Sequence, residues 1–173
     1  MKEHLSSSLD PPLNFTLLLA IYLCLICYAS IAWNGLLESE KPRQLDANVQ
    51  LGISSVEPNI RKSTIRLLNL WKDAAATKLL GQLLSDVHPD VRSMARESLL
   101  EFAKNKELTQ GVIETATKNL DSNWQGKQQG LIVLTRLDHK PAAKKILTLL
   151  DHDRAEVHIT AGWALENLSV EST

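Results

Sequence analysis

Residues 88–103, HPDVRSMARESLLEFA, read as a single helix with one buried face. Val91, Ala95, Leu99 and Phe102 recur at i, i+4, i+8 and i+11, the spacing that lines one side of an α-helix. His88-Pro89-Asp90 supplies the start: a polar residue, then proline in the first turn, where its missing N–H costs nothing. The pattern returns three times. Aligning Ile60, Val91, Gly126 and Val157 places small residues four positions on: Thr64, Ala95, Gly130 and Ala161. Eight positions on stand Leu68, Leu99, Leu134 and Leu165, and eleven on stand Trp71, Phe102, Leu137 and Leu168. The copies are offset by 31, 35 and 31 residues.

Other apolar-periodic runs lie between these helices. One holds Leu79, Leu80, Leu83 and Leu84, a second Val112, Ile113, Ala116 and Leu120, and a third Ile146, Leu147, Leu149 and Leu150. Each ends near an aspartate: Asp86, Asp121 or Asp151. The chain therefore alternates two kinds of helix joined by short turns. A hairpin of this size cannot bury its apolar face alone, so neighbours must stack. Residues 34–57 are more polar and form a linker. Within it Leu45, Val49 and Ile53 predict a short helix over about 42–54, with Pro42 in its first turn. That helix serves as a cap on the first copy or as a stalk.

HPDVRSMARESLLEFA resembles the first helix of a HEAT repeat, with Asp, Val-Arg, Ala and Leu at the family's intervals. AEVHITAGWALENL, residues 155–168, is similar, and its Trp-Ala-Leu-x-Asn-Leu also resembles armadillo repeats. The likeness covers roughly residues 58–168. It is weakest in the third copy, where Gly126 and Gly130 replace Val and Ala and Trp124 competes for the place of Gly126. Tetratricopeptide repeats share the period, but their Trp, Gly, Tyr and Pro spacing is missing. The resemblance implies an all-α fold: a short right-handed α-solenoid of about 3.5 HEAT-like hairpins over residues 58–173. It also implies that Arg61, Arg92 and Lys127 bond a loop aspartate, with Asp90 and Asp121 as candidates. A basic ladder for an acidic partner is the other reading of those three cations.

Upstream, residues 13–33 (LNFTLLLAIYLCLICYASIAW) contain no charged side chain. Twenty-one residues at about 1.5 Å rise match a hydrocarbon core of about 30 Å. The segment is expected to be a single transmembrane helix, with 1–12 as a short tail and Trp33 as an interfacial anchor. Cleavage at the small-residue pair Ser30 and Ala32, or Cys27 and Ala29, is the alternative, disfavoured by the length of the apolar run. The predicted location is the cell membrane, single-pass. Lys2 and the α-amine on one side against Lys41 and Arg43 on the other give the positive-inside rule little to weigh, and the short N-terminal tail gives a slight preference for the N-terminus inside and the following domain exported. Cys24 and Cys27, the chain's two cysteines, both fall in this segment and supply small apolar volume there.

Little in the sequence points to chemistry. Lys and Arg total 19 against 20 Asp and Glu, which argues against nucleic acid. His88, His139 and His152 fall in expected turns, and the His-Glu pairs of HEAT-like iron hydroxylases do not occur. No nucleophile elbow or phosphate loop is present, so no catalytic, metal or cofactor residue and no small-molecule substrate are assigned. The last helix carries a further apolar stripe of Ile159, Trp163 and Val170. It is the candidate docking face for a protein partner or a second copy, the other reading being that Trp163 packs back on the preceding hairpin. The expected function is a membrane-anchored interaction or scaffold module, an accessory or assembly subunit of a membrane complex. A lyase-like or other enzyme built on the same repeats is the alternative.

Overall fold

Helix starts in this chain are written in its capping residues. Asp73 accepts from the Ala76 N–H at 2.8 Å, Asn105 from Glu107 at 3.0 Å and Asn123 from Gly126 at 2.9 Å. Each satisfies a backbone donor that the first helical turn leaves unpaired. Pro58 and Pro89 open two further helices at their first position. The computed structural model describes residues 47–168, which belong to the compact unit Gln44–Thr173. They form α1 (Ala47–Ile53), α2 (Pro58–Trp71), α3 (Ala74–Leu83), α4 (Pro89–Phe102), α5 (Lys106–Asn119) and α6 (Trp124–Arg136). A 3-10 turn (Lys140–Ala142) then leads into α7 (Ala143–Leu147), and α8 (Ala155–Asn167) follows. The fold is all-α, with no strand among the described residues.

The helices lie in two layers. In one, α2 packs on α4, α4 on α6 and α6 on α8; in the other, α3 packs on α5. Each second-layer helix also packs on the first-layer helix that follows it: α1 on α2, α3 on α4, α5 on α6 and α7 on α8. The core runs between the layers. Leu68, Leu99 and Leu134 are fully buried in it, and Leu165 is partly buried against it. Each such leucine withdrawn from water is worth about 1.5–3 kcal/mol, so the repeated leucine position is a principal cohesive feature of the domain.

The third copy departs least where the sequence looked weakest. Gly126 and Gly130 are both buried inside α6, in line with Val91 and Ala95 of α4. A Cβ at Gly130 would stand 2.7 Å from the Ala116 carbonyl oxygen, so glycine is what lets α5 and α6 approach. The run around α7 differs from its expected reading. Ala142, Ala143, Ile146 and Leu149 face the core, while Leu147 and Leu150 are exposed.

No helix among the described residues is long and apolar enough to cross a membrane. The tail 1–12, the expected transmembrane helix 13–33, the linker up to residue 46 and Val170 lie outside the described residues.

Candidate protein-interaction surface

The side chains one position beyond each repeat start, Arg61, Arg92, Lys127 and His158, do the same local work. Arg61 donates through Nη1 to the carbonyls of Ser55 (2.6 Å) and Val56 (3.0 Å), and Arg92 to those of Asp86 (2.8 Å) and Val87 (3.0 Å). Lys127 Nζ donates to the Ser122 carbonyl, and His158 Nδ1 lies 3.3 Å from the His152 carbonyl. Each side chain folds back on the loop that leads into its own helix. These contacts account for the ladder without an acidic partner. The aspartate expectation needs correction. Arg61 also grips Asp86 with two bonds, Nε–Oδ2 at 2.6 Å and Nη2–Oδ1 at 2.8 Å, both side chains being 7 % exposed. Asp121 instead pairs with Lys145 at 2.6 Å, and Asp90 lies 4.0 Å from His88. Asp86 Oδ1 also accepts from the His88 N–H at 2.7 Å.

A polar network that sequence reasoning did not find fastens the second layer. The buried Asn119 donates from Nδ2 to the carbonyls of Gly81 and Thr115, each at 3.0 Å, and its Oδ1 accepts from Ser85 Oγ at 3.1 Å. Asn123 donates to the Ser85 carbonyl at 3.0 Å. The only sequence signal was a polar residue at an otherwise apolar helix position. A cleft of about 740 Å³ lies alongside, between α3 and α5, lined by Lys78, Gln82, Glu114 and Lys118 among others. At the N-terminal end of α6, the guanidinium groups of Arg92 and Arg154 lie over the Trp124 ring at 5.9 and 5.1 Å. On the outer surface Glu101 takes a hydrogen bond from Lys104, which holds its carboxyl below the usual glutamate range, with added attraction from Lys104 and Lys72. Among the described residues no group of three or more His, Cys, Asp or Glu could hold a metal ion.

The apolar surface is unevenly placed. Ten large hydrophobic side chains are exposed among the described residues, and all but Val87 lie at the two ends of the layers. At the end formed by α7 and α8 stand Leu147, Leu150, Ile159 (64 % exposed) and Trp163 (40 %). Gly162, between the last two, has open space where a Cβ would go. At the other end stand Leu51, Val56, Ile60 (49 %), Leu67 (40 %) and Leu70 (81 %). Ile60, placed on the buried face by its alignment with Val91, is exposed instead, and Leu67 and Leu70 extend its stripe at i+7 and i+10. Ile159 and Trp163 thus share the outward side of α8, one turn apart.

Comparison with protein-family models and with curated proteins finds no match.

Proposed function

We propose that this chain is a membrane-anchored protein–protein interaction module, an accessory or assembly subunit of a membrane complex. In this reading the two helical layers are a short right-handed α-solenoid of HEAT-like hairpins. Residues 13–33 are its single transmembrane helix, with the N-terminus inside and the repeat domain exported. The observation that carries the proposal is the exposed pair Ile159 and Trp163 on α8 beside an open Gly162. Aromatic side chains standing on an uncovered apolar face are the usual anchors of protein interfaces. An anchor contributes local concentration, so a modest apolar face is enough to hold a partner confined to the same bilayer.

The test is extraction of the native protein in mild detergent, followed by mass spectrometry and by metal and absorbance analysis. The expected result is a stoichiometric protein companion that Trp163→Asp releases while the domain stays folded. A bound metal or chromophore with no protein companion would favour the enzyme alternative and overturn the proposal.

A further inference from the structure

We propose that the protein partner of the α8 face is a second copy of this chain, docked head to tail through its α2. The argument starts from how α4 meets α6 inside one molecule. Arg96 and Glu97, five and six positions beyond Val91, reach forward: Arg96 bonds Gln129 at 2.7 Å and Glu97 meets Arg136 at 3.5 Å. Gln129 and Arg136, three and ten positions beyond Gly126, reach back. Carried to the last helix, the forward positions are Gly162 and Trp163. Carried to the first full copy, the backward positions are Ser63 and Leu70. Both faces are open among the described residues, and each presents a large exposed apolar side chain, Trp163 on α8 and Leu70 on α2.

Burial at two further positions gives the same answer. Val91, Gly126 and Val157 are buried, as are Ser98, Val133 and Ala164 seven residues beyond them. Their counterparts on α2, Ile60 and Leu67, are about half exposed. Every later first-layer helix has a preceding first-layer helix packed on it, and no such helix lies before α2 among the described residues. The short α1 occupies the second layer instead: its Gly52 sits against Thr64 as Ala116 of α5 sits against Gly130 of α6. A copy's α8 therefore fits in front of the next copy's α2 as α6 fits in front of α8.

Charge favours that pairing over two like ends. α2 carries Arg61, Lys62 and Arg66 and no acidic residue, and only Arg61 is held by Asp86. α8 carries Glu156 and Glu166 and no Lys or Arg. An α8 face against an α8 face would oppose carboxylates, whereas α8 against α2 sets them beside cations. Such an interface is heterologous, so it propagates beyond a dimer into a ring or a short row of copies.

This inference rests on α8 being a docking face. The test uses the full chain in detergent, sized by analytical ultracentrifugation over a range of concentrations, with circular dichroism and melting to confirm folding. Wild type is expected to associate beyond the dimer as concentration rises. Leu70→Asp and Trp163→Asp are each expected to be monomeric, and their equimolar mixture is expected to form a dimer that grows no further. Only the mixture holds one intact α2 face and one intact α8 face, on different copies. Ile159→Asp replaces Trp163→Asp should the latter unfold. Association of Leu70→Asp alone would overturn the inference in favour of an α8–α8 pair. A wild type that stays monomeric would overturn it in favour of residues 34–46 of the same chain, or a different protein, on these faces. Mass spectrometry of the same extracts reports a different companion whether or not copies associate, so the failure of this inference and of the proposed function are separable.

Discussion

Two glycines at related places in the stack have opposite reasons to be there. A Cβ at Gly130 would meet the Ala116 carbonyl at 2.7 Å, while at Gly162 it would meet nothing within 4 Å. Gly162→Ala is therefore expected to stabilise the domain by about 1 kcal/mol, the helix-propensity difference between the two residues. Gly130→Ala is expected to destabilise it by about 1–3 kcal/mol, since overpacking against backbone outweighs the propensity gain. Urea denaturation of the two variants checks both signs. The buried Arg61–Asp86 pair gives a second contrast. Asp86→Asn leaves the guanidinium buried with one weaker acceptor and two carbonyls, so its cost is expected at the low end of about 3–5 kcal/mol. Asp121→Asn, which breaks the more exposed pair with Lys145, is expected to change stability by less than about 1 kcal/mol. Equal losses for the two variants would contradict the burial argument.

At the scale of helices, what was legible follows from what sequence periodicity measures. Leu68, Leu99 and Leu134 each lie on the apolar stripe that the 3.6-residue repeat makes on their own helix, and each is buried. Asn123 and Asp73 start helices through a side-chain oxygen, a local bond that depends only on neighbours in sequence. Asp73→Ala is expected to cost about 1 kcal/mol, read as a lower melting temperature with the fold retained. Long-range pairing was not legible. Nothing local distinguishes Asp86 from Asp90 as the partner of Arg61; the choice depends on how α3 delivers its following loop. Leu147 and Leu150 were read with Ile146 and Leu149 as one apolar run, yet α7 is a short helix and only half of that run meets the core. The exposed stripe of Ile60, Leu67 and Leu70 was not legible, because alignment with Val91 assigns Ile60 to the buried stripe of the same helix.

For the molecule as a whole, the distribution of exposed apolar side chains is the fact that matters for function. Layered helices bury one another's faces in series, so only the first and last members keep a face without a neighbour. Among the described residues those faces carry Leu70 and Trp163 beside charged neighbours, Lys62 and Arg66 on α2 and Glu156 and Glu166 on α8. The middle of the same surface is charged, with Glu97 and Arg136 paired across α4 and α6. On the proposed reading the outward side of α8 is covered by another polypeptide. A photo-crosslinking amino acid placed at position 163 of the full chain, activated in native membranes, tests this most directly. The expected product is an adduct of twice the chain mass, with the crosslink mapping to 63–70 of the second copy. Crosslinks confined to α6 or α7 of the same chain would contradict it.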